Sequence, residues 1–278
     1  MYTRPKSLKP AIDAGCMRSY QIIRKLGLEM KFQLRVTTAC DETSIAKTEV
    51  LASIKMSRCY ASNADRFTMK EMTSAPWDAI IFDYGRVLSC SPGREELLRL
   101  AEISGVSEPS FFELYSNTRD DYDRGHVDYR QHWQRFAEVA GVEITADAVG
   151  RMVTIEAEIW TRINPGSLDL AREIKSCGLK TAILSNMPSD LLAILLTKFD
   201  WLDEFDVLTW SCEMGVIKPD EEIYRACLDA LGCEPARSLF FDDRPRNVDG
   251  ARRVGMDAHV FKSAEQARAI VERGLALR

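Results

Sequence analysis

Four short polar stretches, each directly after an apolar segment, hold the side chains of this sequence that are best suited to chemistry. In chain order they are Asp83 in IIFDYGRVL, Ser185-Asn186 after LKTAIL, Lys218 in EMGVIKPDEEIY and Asp242-Asp243 in LFFDDRPRN. Carboxylate and carbonyl oxygens are the ligands that a hard cation such as Mg²⁺ prefers. An ammonium and a hydroxyl group stabilise the oxygens of a phosphate. The set therefore suits a Mg²⁺ ion together with a phosphate group.

Each stretch also has an ordinary structural explanation. An aspartate at the end of a strand, such as Asp83, usually belongs to a turn, and Ser185-Asn186 is a common turn sequence. Asp242-Asp243 suits the cap of a following helix, and a lysine before proline is ordinarily solvated. Because all four stretches occur after apolar segments of one chain, the functional interpretation is favoured over four coincidences.

The segments around these stretches predict an α/β fold. Apolar strands are expected at Asp78–Phe82, Leu179–Leu184, Val207–Thr209, Arg237–Phe241 and Ala258–Phe261, and helices at about 167–177, 189–198, 220–231, 245–254 and 264–273. Strands that alternate with helices of this length indicate a doubly wound, Rossmann-like parallel sheet. Ligands of such sheets bind at the carboxyl ends of the strands, where the four polar stretches should converge.

The pattern predicts a division of the chain into three parts. Residues 76–93 and 164–278 form the Rossmann-like core, and residues 94–163 form a helical cap inserted after the first strand, above the carboxyl edge of the sheet. ELLRLAEISG, YRQHWQRFAEVAG and AVGRMVTIEAEIW in this insert have apolar residues at helical spacing. Residues 1–75 show no clear period, so we expect a weakly ordered extension without catalytic residues, which an over-extended start of the reading frame would explain.

Charge and composition restrict the class of partner. Residues 1–75 contain 13 Lys/Arg and 7 Asp/Glu, whereas the remainder is acidic, with 24 against 35. An acidic body argues against nucleic acid as a partner. No apolar run approaches the roughly 18 residues of a membrane span, and residues 1–75 lack the apolar core of a secretory signal. The eight scattered cysteines form no CxxC pair, which favours free thiols in a cytoplasmic protein.

In this order, the four motifs resemble the haloacid dehalogenase superfamily. The resemblance covers about residues 78–262. Within the superfamily, the chain is similar to subfamily IA, variant 3-like, the phosphatase-rich branch with a helical C1 cap. It is also similar to bacterial glucose-1-phosphate phosphatases. The resemblance implies a four-helix cap and a Mg²⁺-dependent phosphatase of a small phosphomonoester, with sugar phosphates as a candidate class. It assigns Asp83 as the nucleophile of an aspartyl-phosphate intermediate.

The resemblance also implies the other site residues. Ser185 and Lys218 would hold the transferring phosphoryl group, and Asn186 would contact the substrate or orient its loop. The metal ligands would be Asp83, the backbone carbonyl of Gly85 and Asp243, with Asp242 in support.

Gly85 departs from the family pattern. Most phosphatases of this superfamily have a second aspartate there, which protonates the leaving alcohol and later activates water. A positioned general acid contributes about 10²–10⁴ in rate. Either the substrate has a good leaving group, such as an anomeric or acyl phosphate, or the cap supplies the proton from Asp123, His126 or Tyr129.

Two other functions stay open at the level of sequence. A metal-free 2-haloacid dehalogenase shares the aspartate nucleophile, although Asp242 and Asp243 would repel a carboxylate substrate. A phosphate-binding protein weakened in catalysis would explain Gly85. Transfer of the phosphoryl group to a sugar rather than to water, the substrate and the oligomeric state are not determined by these residues.

Overall fold

The computed structural model describes residues 76–276, and five parallel strands form one sheet within this range, in the order β3-β2-β1-β4-β5. The strands are β1 (Ala79–Phe82), β2 (Lys180–Ser185), β3 (Val207–Trp210), β4 (Ser238–Asp242) and β5 (Asp257–Val260). The predicted α/β fold with a parallel sheet is confirmed. The predicted extension, residues 1–75, lies outside the described residues.

Helices connect the strands. They are α1 (Arg94–Ser104), α2 (Glu108–Asn117), α3 (Asp120–Asp123), α4 (Tyr129–Ala140), α5 (Ala146–Trp160), α6 (Pro165–Ser176), α7 (Ser189–Lys198), α8 (Ser211–Met214), α9 (Glu221–Leu231), α10 (Pro245–Val254) and α11 (Ala264–Ala276), with 3₁₀ turns at Asp200–Glu204 and Pro235–Arg237. None of the helices within residues 76–276 is long and apolar enough to cross a membrane.

The central strand β1 is buried on both faces because every residue of AIIF packs against a helical layer. Ile80 and Phe82 belong to one apolar cluster of the core, whereas Ala79 and Ile81 belong to the cluster on the other side. This alternation follows from the two-residue period of a strand. It explains why the strand reads as an unbroken apolar run rather than as an alternation of apolar and polar residues.

The register of the sheet brings the polar stretches to one edge. Phe82 of β1 is paired with Ile183 of β2 and with Phe241 of β4. The residues that follow each of these positions therefore lie side by side, and the backbone N–H of Asp83 donates to the carbonyl oxygen of Phe241 at 2.9 Å.

The segment between β1 and β2 is helical and has its own apolar cluster. Leu100, Phe111, Trp133, Phe136 and Met152 are fully buried within it. Four of its helices have 10 to 15 residues. The structure adds the four-residue helix α3, which the implied four-helix cap did not include. We call residues 94–160 the helical insert; its status as a separate cap domain stays a prediction.

Candidate active site at the carboxyl edge of the sheet

Lys218 lies at the centre of the site and is completely buried. Its Nζ contacts Asp83 Oδ1 at 2.9 Å and Asp242 Oδ2 at 2.6 Å. The third donor position is used by the carbonyl oxygen of Leu184, at 2.9 Å. Burial opposes the charged form, but Asp242 and Asp83 outweigh it and raise the pKa of Lys218. The lysine is therefore a fixed buried cation, and the solvated loop lysine that its sequence context suggests is not what the structure shows.

Asn186 fixes the loop that carries Lys218. Its side-chain Oδ1 accepts from the backbone N–H of Lys218 at 2.8 Å, and its Nδ2 donates to the carbonyl oxygen of the same residue at 3.1 Å. This reciprocal pair joins the end of β2 to the loop before α9. Of the two possibilities for Asn186, contact with substrate or orientation of a loop, the geometry agrees with the second.

Asp242 has both carboxylate oxygens occupied by protein donors. Oδ1 accepts from the backbone N–H of Arg244 at 2.8 Å and from Asn247 Nδ2 at 3.0 Å. Oδ2 accepts from Lys218 and, at 3.1 Å, from Asn247. A carboxylate with four such bonds has little capacity left for a cation, so its geometry suits a supporting position beside the site.

The carboxylates of Asp83 and Asp243 have fewer protein donors than that of Asp242. One oxygen each of Asp83, Asp242 and Asp243 lie within 4.8 Å of one another. Burial raises the pKa of Asp83 to about 7, although Lys218 acts in the opposite direction. Burial and the neighbouring Asp242 also raise the pKa of Asp243. Both shifts follow first from burial, and the neighbouring carboxylates add to them.

Asp83 has one engaged and one available oxygen. Oδ1 accepts from the backbone N–H of Tyr84 at 2.7 Å and contacts Lys218. Oδ2 has no hydrogen bond to any residue within 76–276. The buried hydroxyl of Ser185, at the end of β2, likewise has no protein partner in this range, and it lines the same pocket of about 70 Å³. These two groups are free to contact a ligand.

The turn after β1 brings Gly85 and Arg86 into the pocket wall. Gly85 has φ −63° and ψ 125°, which other residues adopt, and a Cβ there would lie 3.5 Å from Trp160 Cζ3 of α5. Arg86 has φ 59°, a left-handed conformation that is uncommon without glycine. Its Nη1 is 3.5 Å from Asp243 Oδ2.

The helical insert completes the pocket. Arg119, Asp123 and Trp160 line it together with residues of the sheet edge. Asp123, His126 and Tyr129 were proposed as proton donors from the cap. Within the described residues, only Asp123 of these three lines the pocket. His126 is exposed, and Tyr129 lines a different groove, between α4 and α5. Arg119, Trp160 and Asn247 were not predicted as site residues. Asn247 lies in the quoted FFDDRPRN motif, five residues after Asp242, whereas no sequence pattern distinguishes the other two.

Comparison with known proteins agrees with this architecture. A chain of acyl-CoA dehydrogenase family member 10 from Mus musculus is 26% identical over 206 residues, which are 70% of this chain and 18% of that protein. A phosphorylated carbohydrates phosphatase from Thermotoga maritima is 24% identical over 192 residues, 62% of this chain and 89% of that protein. The chain thus spans less than a fifth of the first relative and most of the second.

Solved structures show the same fold. The magnesium complex of a haloacid dehalogenase family enzyme from Bacteroides thetaiotaomicron has a TM-score of 0.58 at 19% identity, over 70% of this chain and 98% of that one. A dehalogenase has a TM-score of 0.56 at 18% identity, over 70% and 96% of the two chains. The profile of the haloacid dehalogenase-like hydrolases matches residues 77–255, so the chain belongs to the haloacid dehalogenase-like hydrolase family.

Proposed function

We propose that this chain is a Mg²⁺-dependent phosphoric monoester hydrolase that acts on a small phosphomonoester through a phosphorylated Asp83. One observation carries the proposal: the buried Lys218 contacts Asp83 and Asp242 at the carboxyl edge of the sheet, beside the unengaged hydroxyl of Ser185. A buried cation and a free hydroxyl beside a free carboxylate oxygen suit a tetrahedral dianion.

The donor set fits a divalent cation. Asp83 and Asp243 are the partly neutralised carboxylates, and the Gly85 carbonyl belongs to a residue that lines the same pocket. We propose that these three groups hold the metal and that Asp242 supports them. A bound Mg²⁺ would neutralise oxygens of the phosphoryl group as a Lewis acid. Its positive charge would also oppose the rise in the pKa of Asp83 that burial and the neighbouring Asp242 and Asp243 cause.

The protein groups have separate tasks in the proposed reaction. Asp83 Oδ2, the unengaged oxygen, attacks phosphorus while the Tyr84 N–H and Lys218 hold Oδ1 in place. Ser185 donates a hydrogen bond to a phosphoryl oxygen, and Lys218 stabilises the charge of the same group. Asn186 acts on the substrate only through Lys218, whose backbone it fixes.

The first experiment measures phosphate release from a panel of sugar phosphates, nucleotides and acyl phosphates, with Mg²⁺ and with EDTA. We expect turnover of at least one class, and its loss both in EDTA and in Asp83→Asn. Asp78→Asn is the matched control, since Asp78 precedes the same strand at its opposite end and is paired with Arg237 on the surface. Turnover by Asp83→Asn at the wild-type rate would exclude the mechanism.

A 2-haloacid dehalogenase is the second candidate because a solved dehalogenase has the same fold and Gly85 removes the usual acid. Three carboxylates within 4.8 Å oppose this reaction, because its substrate is itself a carboxylate. Halide release from 2-chloropropionate in the presence of EDTA would establish it. A binding protein weakened in catalysis would bind phosphate without turnover in either assay. The absence of nucleic-acid partners and a cytoplasmic location stay predictions from the sequence.

A further inference from the structure

Hydrolysis of an alkyl phosphate needs a proton for the departing oxygen, and a carboxyl group of the pocket is a suitable donor. Within the described residues, three carboxyl groups line the pocket: Asp83, Asp123 and Asp243. Asp83 is the proposed nucleophile and must be ionised. Asp243 lies in the acidic group beside it and is a proposed metal ligand. Asp123, on the helical insert, has no task in the proposed mechanism so far.

Asp123 is held firmly between the insert and the core. It ends α3 and is 7% exposed. Its backbone N–H donates to the carbonyl oxygen of Arg119 at 2.7 Å, and its own carbonyl oxygen accepts from the hydroxyl of Ser211, directly after β3. Ser211 Oγ also accepts from the backbone N–H of Met187 at 2.8 Å, in the loop after β2. The backbone of Asp123 is therefore anchored to the edge of the sheet that carries the site.

The charges around Asp123 neutralise its carboxylate less completely than they neutralise that of Glu156. Arg119 is the one cation between two buried carboxylates, with Nη1 at 2.8 Å from Glu156 Oε1 and Nη2 at 3.3 Å from Asp123 Oδ1. Glu156 also accepts from the hydroxyl of Tyr115 at 2.6 Å. Glu156 thus has the closer contact and a second donor, so Asp123 is left with the weaker counter-charge.

The pKa of Asp123 agrees with this geometry. Burial raises it, although Arg119 and Arg244 act in the opposite direction, and the nearby Asp120 adds to the rise. Glu156 lies beyond Arg119, and the thiol of Cys212 in α8, directly after β3, also interacts with Asp123. A buried carboxyl of this kind can hold a proton and release it to a nearby oxygen.

No other group of the pocket wall replaces it. Gly85, in the turn after β1, has no side chain that could carry a proton, and a Cβ there would lie in van der Waals contact with Trp160. The hydroxyl of Tyr84 already donates to the carbonyl oxygen of Trp160 at 2.7 Å, and burial raises its pKa.

We propose that Asp123 is the general acid and base of this site, supplied by the helical insert; the assignment rests on the proposed phosphatase function. In the first step Asp83 Oδ2 bonds to phosphorus, the bond from phosphorus to the leaving oxygen breaks, and the proton of Asp123 passes to that oxygen. In the second step ionised Asp123 takes a proton from water, whose oxygen bonds to phosphorus as the bond to Asp83 breaks. Phosphate leaves, and both carboxyl groups return to their starting states.

The test compares Asp123→Asn with Asp121→Asn on substrates of different leaving groups. Asp121 lies two residues away, is more exposed and pairs with Arg135, so it is the matched control. For alkyl and sugar phosphates, which need protonation, kcat/KM should fall about 10²–10⁴-fold in Asp123→Asn. For p-nitrophenyl phosphate and acetyl phosphate, whose leaving groups depart as stable anions, the decrease should be less than about tenfold by the same reasoning. Asp121→Asn should retain both activities.

The pH profile supplies a measurement that needs no variant. With an alkyl phosphate, kcat/KM of the wild type should decline on the alkaline side as Asp123 ionises, and this decline should be absent with p-nitrophenyl phosphate. Equal losses on both substrate classes, or identical profiles for them, would assign Asp123 to structure alone and leave the phosphatase function intact. A wild type that releases phosphate from no substrate would overturn both proposals.

Discussion

The sheet edge and the helical insert each contain one buried cation between two carboxylates. In the core, Lys218 lies between Asp83 and Asp242; in the insert, Arg119 lies between Glu156 and Asp123. In both groups one carboxylate has further hydrogen-bond donors and the other lines the pocket. The shared arrangement leaves one incompletely neutralised carboxyl group from the core and one from the insert in the wall of the pocket.

The difference between the two groups lies in how the cation is fixed. Lys218 is a compact ammonium with three acceptors and a backbone clamped by Asn186. Arg119 is a planar guanidinium that also lies over the rings of Tyr115 and Tyr122, at 5.1 and 5.4 Å from their centroids. A buried ammonium with all three donors engaged suits the balance of charge at the carboxylates that it contacts, whereas a stacked guanidinium suits the positioning of a neighbouring side chain.

The largest effect is expected from Lys218→Met. Removal of this cation leaves Asp83 and Asp242 buried without their counter-charge, and loss of one partner of a buried ion pair costs about 3–5 kcal/mol. Urea denaturation at pH 8 should show that loss, and phosphate release should fall below detection. Lys175→Met, at an exposed pair with Asp206, should change the free energy of unfolding by less than about 1 kcal/mol. Similar small changes in both variants would contradict the central position of Lys218.

Arg119→Met should have a smaller effect than Lys218→Met. Glu156 keeps the hydroxyl of Tyr115, and Asp123 can take up a proton, so we expect a loss of about 2–3 kcal/mol in the free energy of unfolding. The alkaline decline of kcat/KM with an alkyl phosphate should move to higher pH, since the cation that favours ionised Asp123 is gone. Arg172→Met, at a surface pair with Glu204, is the control for unfolding. A loss as large as that of Lys218→Met would remove the distinction between the two groups.

Asp83→Asn should stabilise the protein slightly while it abolishes turnover. Burial raises the pKa of Asp83 in the folded state to about 7 from its ordinary value of 3.8, so between these values the folded state keeps a proton that the unfolded state has lost. Wild-type stability should therefore decrease as the pH rises from about 4 to about 7, and the variant should not show this part of the decrease. In EDTA at pH 8 we expect a gain on the order of 1 kcal/mol. A lower melting temperature of the variant at pH 8 would contradict a destabilising effect of the buried, ionised Asp83.

The smallest effect is expected from Gly85→Ala. Neither the φ of −63° nor the 3.5 Å contact of a Cβ with Trp160 opposes alanine there. The reduced freedom of the unfolded chain should stabilise the protein by about 0.4–1 kcal/mol, measured by urea denaturation. Activity should stay close to that of the wild type, because the backbone carbonyl is unchanged. Arg86→Gly at the next residue is a useful comparison, because glycine adopts the positive φ of this position without strain.

The sheet edge was predictable from the sequence because parallel strands impose its geometry. Once β1, β2 and β4 are recognised as short apolar runs, the residues after Phe82 and Phe241 must lie side by side. The family model confirms the class of hydrolase that those residues suggested. The burial of Lys218 was not predictable, since a lysine before proline is usually solvated. Its contacts with Asp83 and Asp242 and the backbone pair with Asn186 arise only from tertiary structure.

The charged group of the insert was not predictable as a unit. Arg119 and Asp123 are four residues apart, but Glu156 comes from α5, 37 residues after Arg119. Helical periodicity identifies which side of each helix is apolar, yet it does not determine which helices pack together or which polar side chains they enclose. Asp123 was named with His126 and Tyr129 as one of three equivalent candidates, and only tertiary packing separates them.

The position of the helical insert, as one stretch of sequence between β1 and β2, has a consequence for the evolution of the site. The proposed attacking group, Asp83, is encoded before this insert and its cationic partner Lys218 after it, while the insert itself encodes Asp123 and the other pocket-lining residues Arg119 and Trp160. Exchange of this one contiguous stretch of sequence would replace, in a single genetic event, both the surface that meets the alcohol and the proton that the alcohol receives. Selectivity and leaving-group chemistry would then be acquired or lost together, without any change to the sheet.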